Sequence, residues 1–299
     1  RTVFLEFYGQ ARDAIPSIGE IKDYLDAEAL KGGAILAGLE HLDERYLRAV
    51  GYSTKSKRGV LPKMALFGDI VGDDENAVAQ AASEVVRMAN NHVGEGFIAV
   101  SPETRKKFWL DRARTAAISK HTNAFKINED VVIPLNRMGE YTDGIERINI
   151  ELSIQNKLAL LAELRGFFAK GNLPLGKSED AEGDDIPAAE LLEDRVNQAE
   201  QLLEATHARW SYLLSQLDQP LRDAKPALCA LGLEKLSDVF DERLLKQADA
   251  TVFHVLQDRT VRVSWKAEVR AQLRQIFSGG AFKLILDECT AVHKKVLRS

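Results

Sequence analysis

The chain has 299 residues, 45% of them hydrophobic and 28% charged, enough to build one large or two ordinary globular domains without disulfide or metal staples. Its formal charge of -5 offers no global positive field to nucleic acid, and no apolar run reaches the roughly eighteen residues of a membrane span. Cys229 and Cys289, the only cysteines, are too few for an iron–sulfur cluster or a four-cysteine zinc site within the chain.

The first third alternates strand and helix signals. Thr2–Tyr8 has the β-branched and aromatic content of a strand that Gly9 ends. From Asp13 to Leu25, Ile15, Ile18, Ile21, Tyr24 and Leu25 recur at helical steps. Gly32-Gly33 breaks the chain before a second strand, Ala34–Leu39, and Asp43 is placed to cap a short helix through Val50. The same phrase then repeats. Met64–Gly72 reads as a strand, and Asp73 or Asp74 caps a helix from Glu75 to His92 with the stripe Val78, Ala81, Ala82, Val85, Val86 and Ala89. Gly94-Glu95-Gly96 turns into the strand Phe97–Val100. These two strand–helix–strand units are separated by a basic loop, Thr54–Lys63, and are compatible with one shared sheet or with two adjoining ones.

Ser101-Pro102-Glu103 opens a helix expected to reach about Lys120, with proline in its favoured first turn. Asp130–Leu135 reads as a short strand. From Tyr141 to Phe168 the apolar residues mark a long helix. Residues 171–187 carry five acids against one lysine and two prolines, the composition of an exposed linker. The remainder reads as helical: 191–217, then, beyond Pro220 and Pro226, Leu233–Thr251, Arg262–Phe277 and Phe282–Leu297. The predicted class is therefore α+β, a mixed part followed by a mostly helical part.

Few motifs carry chemistry. Gly68-Asp69-Ile70-Val71-Gly72 lies between a strand and a helix but lacks the spacing of a nucleotide loop, and Asp73 and Asp74 put negative charge where a phosphate needs donors. The six histidines include no i, i+4 pair, so no metal site is expected within the chain. Neither cysteine has an obvious activating partner, and both read as small apolar core residues. The densest stretch is Lys106–Asp130. On a helix, Phe108, Arg112, Thr115 and Ser119 share a stripe with Trp109 beside it, so an aromatic anchor carries a guanidinium fork one turn on. Two readings stay open: an anion clamp, or a solvated basic face that pairs with acids elsewhere.

Phe108-Trp109-Leu110-Asp111-Arg112 resembles the aromatic–Trp–x–x–Arg signature of the C-terminal, substrate-binding domain of FAD-linked oxidases of the D-lactate, glycolate and D-2-hydroxyglutarate dehydrogenase type, within the vanillyl-alcohol-oxidase superfamily. Asn128–Leu135 resembles the Asp-x-x-x-Pro strand that follows it in that domain. The resemblance implies ferredoxin-like strand–helix–strand units and a division of the chain. Residues 1–53, ending near His41-Leu42-Asp43, are the end of the FAD-binding domain. Residues 54–170 are a partial substrate domain, 171–187 a linker, and 188–299 a helical insertion domain of unknown function. It also implies two-electron oxidation of a small anionic 2-hydroxy acid by FAD, with Arg112 clamping the substrate carboxylate. The family's threonine position falls on Ala116, beside Thr115, and its lysine position on Asn128, two residues after Lys126, so Thr115, Lys126 and Asn128 complete the expected substrate contacts.

The family's pyrophosphate-binding and histidine motifs do not occur in the chain, which begins with Arg1 rather than Met. The expectation is a central fragment of a larger cytoplasmic or membrane-peripheral flavoenzyme, inactive alone. FAD and an iron–sulfur module would then lie elsewhere in the parent, with no nucleic acid and no membrane span. The alternative is a helical interaction module that docks an electron-transfer partner.

Overall fold

A computed structural model of the chain describes residues 1–49, 51–113, 133–170, 189–233, 248–277 and 279–288. It divides into two compact units, 1–144 and 145–299. Among the described residues no helix is long and apolar enough to cross a membrane.

The first unit runs β1 (Thr2–Phe7), α1 (Ala11–Leu30), β2 (Ile35–Asp43), α2 (Glu44–Ala49), β3 (Met64–Val71), α3 (Glu75–Asn91), β4 (Gly94–Ala99) and α4 (Pro102–Ala113). The strands form one sheet in the order β2-β3-β1-β4, every pair antiparallel. This is the ferredoxin-like arrangement, and it resolves the open question of one sheet or two. The expected border at 53/54 passes through this sheet: β1 and β2 lie before it, β3 and β4 after it, and the strands interleave. The first unit is therefore one body rather than the end of one domain and the start of another.

Alternation sets the two faces. Val3, Leu5, Phe7, Met64, Leu66 and Ile70 turn to one side and bury against Ala14, Ile18, Ile21 and Leu25 of α1 and Val78, Ala81, Ala82, Val85, Met88 and Ala89 of α3. Both stripes follow the helical period expected of them, and the Asp74 side chain caps α3 by accepting from the Asn76 N–H. Gly94 and Gly96 belong to β4 itself rather than to a turn ahead of it. A Cβ on Gly94 would lie 2.7 Å from the Ala89 carbonyl oxygen, and one on Gly96 2.9 Å from Val86, so only glycine lets α3 sit this close. At the outer edge, β2 carries a bulge between Leu36 and Gly38.

Ile133 and Pro134, expected to end a strand, lead instead into a 3-10 turn, Leu135–Arg137, and the rest of that expected strand lies outside the described residues. Proline suits this use, because its fixed φ starts a turn and its missing N–H cannot serve a ladder. The linker 171–187 also lies outside the described residues.

Helix α5 (Met138–Phe168) contains the division between the units. The second unit continues with α6 (Ala189–Ser215), α7 (Leu221–Leu228), α8 (Val252–Gln257), a wide turn of helix Trp265–Arg270 running into α9 (Ala271–Ile276), and α10 (Gly279–Glu288). Its core gathers Leu160, Leu161, Leu164 and Phe168 with Leu203, Trp210, Leu213, Val255, Val269 and Phe277. The expected helix Leu233–Thr251 does not reach its end: Thr251 pairs with Pro220 in an isolated bridge, and α8 starts after it. Cys229 is half-buried rather than a core residue, and Cys289 lies outside the described residues.

Among the described residues of this unit one lysine is buried. Lys157 is 8% exposed and donates to Ser153 Oγ. Burial holds its pKa below the ordinary lysine value, opposed by the attraction of Glu268. The unfolded chain therefore keeps this proton to higher pH than the fold does, and the contribution to stability rises with pH between the two values. Lys157→Met removes the penalty of burying the charge, and chemical unfolding at about pH 7 should show a gain of about 1 kcal/mol that shrinks by about pH 10. A gain that grows with pH contradicts the assignment.

Candidate functional site

The other sheet face is built differently. Leu42, Ala65, Glu6 and Glu95 form one cross-strand row; Glu40, Phe67, Phe4 and Phe97 the next; Gly38, Asp69, Thr2 and Ala99 the third. Aromatic rings fill its middle, and carboxylates stand to either side.

Glu6 is fully buried, yet its carboxylate is well provided for. Oε1 accepts from the Tyr52 hydroxyl at 2.5 Å and the Lys55 N–H at 2.7 Å. Oε2 accepts from the Tyr8 hydroxyl at 2.5 Å and the Ser56 N–H at 3.1 Å. An ionised carboxylate buried without partners costs several kcal/mol, and four donors are what make it tolerable. Burial and the bond to Glu6 push the Tyr8 phenol well above the ordinary tyrosine value, so it stays a donor. Three of the four donors belong to residues 52–56, so this one carboxylate ties the loop after α2 down onto the sheet.

That loop brings a cation onto the rings. Lys55 Nζ lies 4.4 Å from the Tyr52 ring centre, 4.9 Å from Phe4 and 5.4 Å from Phe108. Phe4 stacks on Tyr52 at 5.5 Å and meets Phe108 edge-on at 5.4 Å. Beside it the Arg58 guanidinium covers the Tyr8 ring at 4.6 Å and bonds Glu95 at 3.2 Å.

Helix α4 is held on the same face. Phe108 is buried against Phe4, and Trp109 meets Phe67 edge-on at 4.4 Å. One turn earlier, Arg105 bonds Asp69 at 2.5 Å, and Asp69 also accepts from the Thr2 hydroxyl at 2.5 Å. The rings decide the docking. Burying Phe108 alone contributes about 1.5–3 kcal/mol, with about 0.5–1.5 more for each ring pair, against at most about 1 kcal/mol for an ion pair whose arginine is exposed. The two residues that begin the Phe-Trp-x-x-Arg phrase are thus the anchor of the helix. Just ahead of the basic stretch, Arg105 pairs with Asp69.

The backbone of Arg112 falls in the last turn of α4, on the stripe of Phe108 and one turn beyond it. Its side chain, and Thr115, Lys126 and Asn128 entirely, lie outside the described residues. The structure therefore carries the Arg112 backbone one helical turn beyond Phe108 and leaves the other three unplaced. Reading the sequence missed Glu6, Tyr8, Tyr52 and Lys55. The available signal was a lone acid inside the apolar run Val3-Phe4-Leu5-Glu6-Phe7, followed in the chain by a basic loop with nothing else to hold it.

Among the described residues no group of three His, Cys, Asp or Glu is placed to hold a metal ion. Nor do the described residues suit the pyrophosphate of FAD. The helix starts of the first unit are answered from within: α2 by Asp43, which accepts from the Tyr46 N–H, α3 by Asp74 and α4 by Ser101 Oγ, which accepts from the Thr104 N–H.

Residues 24–173, half of the chain, match the family model of FAD linked oxidases, C-terminal domain. The match crosses residue 53 without a break, in keeping with the single sheet. No curated protein and no solved structure matches the chain.

Glu6→Ala leaves two phenols, one of them buried, and two backbone donors without their acceptor. It should lower the unfolding free energy by about 3 kcal/mol and open the loop to trypsin after Lys55, Lys57 and Arg58. A variant with wild-type stability and unchanged tryptic resistance would remove Glu6 from this role.

Proposed function

The chain belongs to the FAD-linked oxidases through their C-terminal domain, and from that premise we propose that it supplies the carboxylate-binding part of the substrate pocket of a flavin-dependent D-2-hydroxy acid dehydrogenase. The observation that carries this reading is the docking of α4: Phe108 and Trp109 fasten it to the ring-lined sheet face, and Arg112 follows one turn on. An arginine at that place offers two parallel charge-assisted N–H donors to a carboxylate, which orients a hydroxy acid as well as holding it. Thr115, Lys126 and Asn128 are the further substrate contacts in this reading. FAD, which takes the two electrons, is held by other parts of the parent protein, and an iron–sulfur module is the proposed acceptor.

A buried platform under the clamp matters because the clamp acts by geometry. A carboxylate held off-axis loses its alignment with the reacting centre, and misplacement by about 1 Å costs on the order of a hundredfold in rate. Rings packed on a sheet give α4 little freedom to shift.

A second reading concerns the helical unit alone. Ile145, Ile148 and Leu152 stand 41%, 52% and 53% exposed on α5, at steps of three and four, a stripe of the kind that docks a partner. Replacing Ile148 and Leu152 by Lys in the parent should then impair transfer to the natural acceptor while turnover with a soluble dye persists; unchanged transfer ends that reading.

In the parent enzyme Arg112→Ala should lose about 2–4 kcal/mol in kcat/KM for a 2-hydroxy acid, and Arg112→Lys should recover only part of it, because an ammonium keeps the charge without the fork. Unaltered kcat/KM in the alanine variant would exclude the clamp.

A further inference from the structure

We propose that α5 is a dimerisation helix, which pairs antiparallel with α5 of a second copy of this chain about a two-fold axis at the level of Lys157. The interface uses the second unit alone and does not depend on the reading of Arg112. It commits the exposed stripe of α5 to a different occupant from the electron-transfer partner considered above.

α5 has two uncharged sides. Ile154, Leu160, Leu161, Leu164 and Phe168 face the core of their own unit. On the outer side, positions 145, 148, 152, 155, 159, 162, 166 and 169 are all exposed, and none of them carries a charge. A helix side turned to water alone carries charged and polar residues. Alternating steps of three and four are instead the seam of a helix pair. The seam is also graded in size: Ile, Ile, Leu and Gln in its first half, then Ala, Ala, Gly and Ala. That gradient selects the occupant and its direction. In the antiparallel pair Ile145 lies opposite Ala169, Ile148 opposite Gly166, Leu152 opposite Ala162 and Gln155 opposite Ala159. Two-fold symmetry makes each contact twice. Every large side chain then meets a small one, whereas a parallel pair would set isoleucine on isoleucine at one end and leave a gap at the other.

Two further observations agree. The small half of the seam opens onto a groove, which Arg165, Gly166 and Ala169 of α5 line together with Glu200 and Glu204 of α6. A Cβ added at Gly166 would meet nothing within 4 Å, so the space above it is open. Ile145 and Ile148 of the second copy are the side chains that the pairing brings there. The flanking charges also match. In an antiparallel pair the position before each first seam residue meets its own kind across the interface, which sets Glu151 beside Arg165 of the second copy. Arg165 is exposed and has no ion pair among the described residues of its own chain. Glu151 is held from within by Arg147 at 2.9 Å, which fixes the carboxylate beside the seam.

The test is the mass of the parent protein by sedimentation equilibrium, between about 1 and 100 μM, where a dimer should form. Gly166→Leu puts a strong helix former into open space, so the fold keeps its thermal stability. The added side chain takes the place of Ile148 of the second copy, and dimerisation should weaken by about tenfold or more. Arg165→Glu should weaken it by about fivefold, and adding Glu151→Arg to that variant should bring it back to within about twofold of wild type. Only the antiparallel pair allows this rescue, because in a parallel pair the two positions lie about 21 Å apart along the axis. A parent protein that stays monomeric throughout the range overturns the proposal, and so does a dimer indifferent to both Gly166→Leu and Arg165→Glu. Loss in Arg165→Glu without rescue overturns the antiparallel direction. If the protein is monomeric and the lysine replacements at Ile148 and Leu152 impair transfer to the acceptor, the acceptor occupies the stripe and the dimer is wrong.

Discussion

A carboxylate buried at the centre of a sheet has to find donors, and what it finds determines the architecture around it. Glu6 faces away from α1 and α3, in the same cross-strand row as Ala65 and Glu95. The strands cannot satisfy it, because their own N–H groups are engaged in the ladder. Its partners come from Tyr8 at the strand's end and from the loop that follows α2. Bringing that loop in encloses the rings, and the enclosed rings give α4 a surface to bind. The sheet face, the loop and the helix are thus one assembly with a charged residue at its root.

The division of labour between the two sheet faces follows from this. The face against α1 and α3 is a hydrophobic interior, tightened at Gly94 and Gly96 by the absence of side chains. The opposite face is aromatic and polar by turns, with Glu6 and Asp69 each held by hydroxyls and cationic or backbone donors. Rings on such a face exclude water without competing for a charge.

Much of the fold was legible. The period-two and period-3.6 patterns named β1, α1, β3 and α3 and most of their buried residues, since each element buries one simple face. What the patterns do not contain is pairing, so whether β1 and β3 met was open until the ladder Thr2–Asp69 to Phe7–Met64 was seen. The border at residue 53, which the family resemblance implied, falls within this one sheet for the same reason: short matching phrases carry no pairing. Pro134 sets a turn that a hydrophobicity pattern reads past, and α8 went unseen because six residues are too few to show a period. In the site, Phe108, Trp109 and Arg112 could be read because they share one helix turn. Glu6 and Lys55 could not, because a hydrogen bond between residues 49 apart leaves no trace in spacing.

The placement of β1 has a further consequence, for the chain before it folds. β1 is made before the other three strands of its sheet, and it lies between β3 and β4, so Thr2 must wait for Asp69 and then for Ala99 before both its edges are covered. Through that interval Val3-Phe4-Leu5-Glu6-Phe7 is a bare, strongly β-prone segment, the type that adds to its own kind. Glu6 interrupts it with a full charge that a neighbouring copy of the same strand would have to bury without Tyr52 or the Lys55 loop to receive it. The residue that burdens the folded interior thereby guards the nascent chain, and its one set of partners exists only in the correct fold.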